Sequence, residues 1–208
     1  MLLLIFLILP AIVICQYPTT IGKSYANSQE LINGVYKLYW STNKTSIIAE
    51  VHVLTTGWIG FGISPTGGMN GADAIVAWID STGSTNFTDR HLTASRTALV
   101  DPIQNWFLIG SKQSNGYTCI QFTRLIDTCD TNDMIIPTGN AKVIVSYGSL
   151  PEPGTDISYH GPSNRAVASV LLLNSLASPN VITAADAVKN YTLQTTVKTK
   201  NCWSIIPL

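Results

Sequence analysis

Charged side chains are scarce in this sequence. Lys and Arg total 12, Asp and Glu total 12, and the formal net charge of the 208 residues is zero. Without a basic excess, the chain lacks the electrostatic footprint that nucleic-acid binding needs. Histidine is scarcer still. His52, His91 and His160 are the full set, and none forms an H-x-H pair. That supply excludes a mechanism built on many imidazole ligands. No G-x-S-x-G elbow occurs, and no Ser/His/Asp partnership supports hydrolysis. Convincing helical periodicity, internal repeats and low-complexity tracts are missing too. Hydrophobic residues, by contrast, make up 46% of the chain. With so little net charge, that excludes a disordered polymer and favours a packed core.

One apolar run stands out. Met1 to Cys15, MLLLIFLILPAIVIC, contains no charged side chain and is interrupted by Pro10. At about 1.5 Å per residue it falls short of a hydrocarbon core of about 30 Å. Residues 1–15 therefore read as a secretory signal peptide, with cleavage near Cys15–Gln16. The run lacks a basic n-region, so a retained N-terminal anchor is the alternative reading. The expected location is secreted or the lumen of a secretory vesicle. Asn43-Lys44-Thr45, Asn86-Phe87-Thr88 and Asn190-Tyr191-Thr192 are candidate glycosylation sequons. With Cys15 gone, Cys119, Cys129 and Cys202 remain. The odd count leaves one thiol free or bonded outside the chain. Cys119 reads as a buried apolar thiol in a strand.

The body alternates with period two between turn residues, which is the signal for strands. Strands are expected at Gly34–Ser41, Ser46–Thr55, Gly57–Ser64 and Asp73–Ile79, with a short one near Asn86. A hairpin is expected from Trp106–Gly110 and Gly116–Arg124, followed by Ala141–Gly148 and Arg165–Leu173. About nine to eleven strands and no helix make an all-β, antiparallel β-sandwich. Residues 16–33 read as an N-terminal segment and 174–208 as a linker. Trp40, Trp58, Trp78 and Trp106, spread one per strand region, fit a buried core better than a stacking platform. His52 shares its face with Ile48, Glu50 and Leu54 and reads as a surface residue. His91, beside Asp89 and Arg90, reads as part of a polar strand-end cluster or an interdomain contact.

Four stretches belong together: GWIGFGIS over residues 57–64 with GGMNGAD over 67–73; Asp89-Arg90-His91; Asp101-Pro102 leading to Gln104-Asn105-Trp106 and Thr128-Cys129-Asp130; and Tyr147-Gly148 with Tyr159-His160-Gly161 and Arg165. In this order they resemble the DOMON domain of dopamine beta-hydroxylase and DBH-like monooxygenases, over residues 34–173. Cys202-Trp203-Ser204-Ile205-Ile206-Pro207 resembles the entry to the copper type II core of those ascorbate-dependent hydroxylases. The resemblance implies a non-catalytic ligand- or metal-binding module, with the copper sites in domains beyond it. It implies a calcium-type site at Asp73 and Asp101 with the main-chain oxygens of Ala74 and Arg90. Some relatives hold haem between one Met and one His, which would fall on Met69 and His160. The hydroxylase-like members are not known for haem, so the resemblance favours a cation. It also implies that Cys129 and Cys202 have lost their family partners, and so are unpaired or bonded to each other. The expected partners are catalytic domains or a second copy of the chain, and the alternative function is the N-terminal part of an active copper monooxygenase.

Overall fold

A computed structural model describes residues 17–22, 24–151 and 156–173, and the backbone of 191–194 and 204–207. The leader with Cys15, the sequon at Asn190, and Cys202 lie outside the described side chains.

Eleven strands form two antiparallel sheets, and no helix occurs among the described residues. The first sheet contains β1 (Asn27–Ile32), β2 (Tyr36–Thr42), β3 (Ser46–Val53), β8 (Phe107–Ser114) and β9 (Tyr117–Leu125), in the order β1-β2-β3-β9-β8. The second contains β4 (Ile59–Ser64), β5 (Asp73–Ile79), β6 (Thr85–Leu92), β7 (Ala98–Val100), β10 (Ala141–Tyr147) and β11 (Arg165–Val170), in the order β11-β10-β4-β5-β6-β7. Short turns join β2 to β3 and β8 to β9; Asn115 (φ 53°) and Gly116 (φ 79°) take the left-handed conformation that a tight hairpin requires. A further pair, β12 (Tyr191–Gln194) with β13 (Ser204–Pro207), occurs in the stretch expected to be a linker.

The alternation decides which face goes inward. Tyr36, Leu38 and Trp40 of β2, Ile47, Ala49, Val51 and Val53 of β3, and Ile120 and Phe122 of β9 meet Ile59, Phe61, Ile63, Ile75, Ala77, Val143 and Val145 of the opposite sheet. Trp106 and Phe122 pack at 5.4 Å and Phe61 and Trp106 at 6.0 Å, both near edge-on. Trp40 and Trp106 are core, as expected, and the Trp40 Nε1–H donates to Leu172 O at 3.0 Å. Trp58 is buried beside the sheet, while Trp78 is half-buried.

Three differences from the sequence reading stand out. β1 arises inside the stretch read as a plain N-terminal segment; its polar sequence, NSQELI, gives little alternation, and pairing with β2 organises it. β6 runs eight residues rather than a short stretch near Asn86. His52 is fully buried, not a surface residue. The segment before β1 lies over the outer face of the first sheet and covers it, and His52 Nε2 sits 2.6 Å from Glu50 Oε1. Cys119 is a free, buried thiol, as expected. Cys129 (φ 59°) is disulfide-bonded. That removes the unpaired alternative for it; its partner is outside the described residues. The Asn43 side chain closes the β2–β3 turn by accepting from Thr45 N and Ser46 N at 2.8 Å each, whereas Asn86 pairs with Trp78 within the β5–β6 ladder.

Gly57 marks a close approach of chain to chain. A Cβ there would lie 1.9 Å from the Gly148 carbonyl oxygen, inside any real contact distance. Gly57→Ala is expected to cost about 1–3 kcal/mol through forced backbone movement. The measurement is a lower urea midpoint at unchanged slope.

Candidate functional site

At one end of the sandwich the inward rows finish in charged residues rather than apolar ones. On β5 the row Asp73, Ile75, Ala77, Ile79 begins with an acid. On β6 Asp89 follows Phe87, and on β9 Arg124 follows Ile120 and Phe122. Strand period two points all three charges into the space between the sheets, and each is buried to 3% exposure or less. Asp133, from the segment between β9 and β10, joins them. One carboxylate oxygen each of Asp73, Asp89 and Asp133 lies within 4.8 Å of the others.

These acids are not equivalent. Asp73 is saturated: Oδ1 accepts from the Trp106 indole N–H at 2.7 Å, and Oδ2 accepts from Arg124 and from Met134 N at 3.1 Å. Arg124 lies 4.8 Å from the Trp106 ring centroid, and its other N–H groups donate to Met134 O at 2.6 Å and Leu125 O at 2.9 Å. Asp73 and Arg124 thus cancel as a buried pair that bridges the two sheets. Asp89 is half-satisfied. Its Oδ2 accepts from Asn105 N at 2.7 Å and Trp106 N at 3.2 Å, while its buried Oδ1 has no partner. Burial, then the Asp73 charge, pushes its carboxyl up to about 8. Neither oxygen of Asp133 makes a well-formed hydrogen bond. Burial pushes that carboxyl up to about 6, tempered by the Thr128 hydroxyl and increased by Asp73. Buried carboxylate oxygens without donors are costly unless a cation or proton occupies them.

The residues expected at a cation site are distributed as follows. Asp73 stands in the cluster as its neutralised member. Ala74 and Arg90 face each other in the β5–β6 ladder. The Arg90 side chain leaves the cluster and makes paired contacts of 2.9 Å with Asp156 on the outer face. Asp101 is next door: its N–H donates to Asp89 O at 3.0 Å, its Oδ1 is bonded to His91 Nδ1, and its buried Oδ2 is unpartnered. Burial raises the Asp101 carboxyl despite His91. The sequence reading gave no site role to Asp133, Arg124 or Asn105, and placed Asp89 only in a polar cluster and a family-like motif. A signal was available for Asp89 and Arg124, because each shares its strand parity with core residues.

Met69 and His160 have different surroundings. Met69 packs against the small apolar cluster of Ala72, Ala74 and Leu92. His160 stands 6.4 Å from the Trp58 ring and 4.7 Å from the Tyr159 ring, centroid to centroid. Its Nδ1–H donates to Gly161 O at 2.5 Å, which leaves Nε2 as the lone-pair nitrogen.

Comparison with known proteins follows the same outline. The family model described as the DOMON domain matches residues 32–148. The human protein named DBH-like monooxygenase protein 1 is 34% identical over 154 residues, covering 74% of this chain and 25% of its own length. The Drosophila melanogaster protein named MOXD1 homolog 2 is 31% identical over 137 residues, covering 59% of this chain and 18% of its own length. The chain therefore spans about a quarter or less of these relatives. Two solved structures share the fold. The cytochrome b domain of pyranose dehydrogenase from Coprinopsis cinerea matches with a TM-score of 0.51 at 19% identity, covering 65% of this chain and 74% of that one. The cytochrome domain of Myriococcum thermophilum cellobiose dehydrogenase matches with a TM-score of 0.53 at 14% identity, covering 69% and 78%. The family-model match over more than half of the chain, together with these relatives, shows that the chain belongs to the DOMON domain family and is related to the DBH-like monooxygenases.

Proposed function

We propose that this chain is a secreted, cation-binding DOMON module without hydroxylation chemistry of its own, serving the regulation or assembly of a copper monooxygenase. The observation that carries this reading is the set of unpartnered carboxylate oxygens on Asp89 and Asp133 beside a neutralised Asp73, with Asp101 as their unpartnered neighbour across the Asp89 backbone. Oxygen-only donors with no thiolate or imidazole suit a hard cation of the calcium type. Asp89 and Asp133 would hold it, Asp101 would complete the charge, and the ion would tie β5, β6 and the β9–β10 segment together.

The non-catalytic part of the reading rests on the histidines. His52 is bonded to Glu50, His91 to Asp101 and His160 to Gly161 O. No group of three metal-ligating side chains among the described residues includes a histidine. Hydroxylation by copper and ascorbate would need ligands from beyond these residues, in catalytic domains or another chain. A haem reading is the second choice, favoured by the His160 tautomer and by the fold shared with two cytochrome domains.

The test is a thermal melt of the secreted chain with calcium against chelator, with magnesium and haemin as parallel additions. Calcium at about a hundred times its Kd is expected to add about 2.7 kcal/mol. Asp89→Asn is expected to abolish that gain. Identical melts in calcium and chelator would overturn the cation reading, and a Soret band with haemin would transfer it to haem.

A further inference from the structure

The outer face of the first sheet carries functional groups that the cation site does not use. The pairing register lines up Glu30, Lys37, His52, Cys119 and Lys112 across β1, β2, β3, β9 and β8. The adjacent line contains Tyr39, Glu50, Gln121 and Gly110. A sheet face so polar is ordinarily solvated, yet Glu50, His52 and Cys119 are fully buried. Their cover is the strap formed by residues 17–22 and 24–26. At one end Thr19 O accepts from the Lys112 ammonium. In the middle Ile21 N and Gly22 N donate to the Glu50 carboxylate at 2.8–3.0 Å. Tyr25 donates its hydroxyl to Glu50 and accepts from Gln121, both at 2.8 Å. The strap passes from Lys112 over Gly110, where Ile21 packs, and over Gln121, where Gly22 packs, to Glu50, and Cys119 is the buried neighbour of Gln121 two residues back on β9.

Three observations suggest that this cover guards a reactive group. Cys119 is the free thiol of the described residues. Its register partner, His52, is fully buried, with Nε2 held by Glu50 and Nδ1 left without a hydrogen-bond partner. The strap's polar contacts converge on Glu50, the same carboxylate that orients the imidazole. Burial works to raise the Glu50 carboxyl, but hydrogen bonds from His52, the strap N–H groups and Tyr25 outweigh it. With the strap closed, burial and then the Glu50 charge push the Cys119 thiol up to about 12, which keeps it inert.

We propose that Cys119 and His52 form a thiol site closed by the N-terminal strap, and that opening the strap lets Cys119 take up a low-molecular-weight disulfide. In the open form the Cys119 proton passes to His52. The thiolate attacks one sulfur of the disulfide, a new S–S bond forms and the old one breaks. The departing thiolate leaves with a proton as free thiol. Cys119 is oxidised to a mixed disulfide and half of the reagent is reduced. Glu50 is the positioning residue, acting both on the imidazole and on the strap.

The test follows uptake of oxidised glutathione by the intact chain, with the mass of the Cys119 peptide identifying the site. Glu50→Gln removes the charge that holds the strap and is expected to speed uptake about tenfold or more. Tyr25→Phe, which deletes one contact, is expected to give a smaller rise, and it carries the test if Glu50→Gln does not fold. Val51→Ala, on the opposite face of β3, serves as a control of comparable stability loss. An unchanged rate in the strap variants would overturn the proposal. So would an equal rise in the Val51 control, because the thiol would then react through global unfolding. In the Glu50→Gln background, His52→Gln is expected to slow uptake, and an equal rate would overturn the pairing of thiol and imidazole.

Discussion

Arg124→Met is expected to lower the unfolding free energy by about 3–5 kcal/mol in chelator, the loss typical of a buried charge stripped of its partner. Arg124 and Asp73 are both fully buried. Removing the guanidinium leaves the Asp73 carboxylate beside Asp89 and Asp133 with no cation to offset it. It also strands the Met134 and Leu125 carbonyls that Arg124 now satisfies. The double variant Asp73→Asn with Arg124→Met is expected to recover much of the loss, since replacing both members of a buried pair by neutral groups is often close to neutral. Urea unfolding of the two single variants and the double variant measures the coupling. A single-variant loss below about 1 kcal/mol would show that the pair behaves like an exposed one. Calcium is expected to repair part of the Arg124→Met defect by supplying the missing positive charge.

The second large effect is the loss of the pH dependence of stability on adding calcium. In chelator, Asp89 titrates near 8 and Asp133 near 6 in the folded state. In the unfolded chain both return to about 3.9. Between about pH 4 and pH 8 the folded protein therefore binds more protons than the unfolded one, and stability falls as pH rises. Each group contributes up to about 1.4 kcal/mol per pH unit within its own window. A bound cation removes the penalty on the charged carboxylates, and its binding releases those protons. The calcium-induced rise in melting temperature is therefore expected to be large at pH 8 and small at pH 5. Melts across that range in calcium and in chelator measure it. A calcium shift independent of pH would mean that Asp89 and Asp133 are already ionised before the ion arrives.

Much of the sandwich was legible because strand alternation is a local property. β2, β3, β5 and β10 fall within a residue or two of where the pattern puts them, and their apolar members are the core. β1 and β7 escaped because edge strands bury little and carry a weak pattern; Leu99 and Val100 of β7 are half exposed. His52 was misread for a different reason. Alternation assigned it correctly to the outer face of β3, but alternation cannot reveal that a distant segment returns to cover that face.

The candidate site divides in the same way. Asp73 entered through the family resemblance, while Asp89 and Arg124 share strand parity with core residues, a local signal that points them between the sheets. Asp133 carried none: it lies in an irregular stretch, TCDTNDM, where several polar residues look alike. Sequence alone determined which side chains point between the sheets, because the period of an extended chain is set by its own backbone. Only the tertiary structure decided which buried acids meet and which polar face is roofed over. Those outcomes depend on sheet order and on the path of the loops, and they bring together residues far apart along the chain.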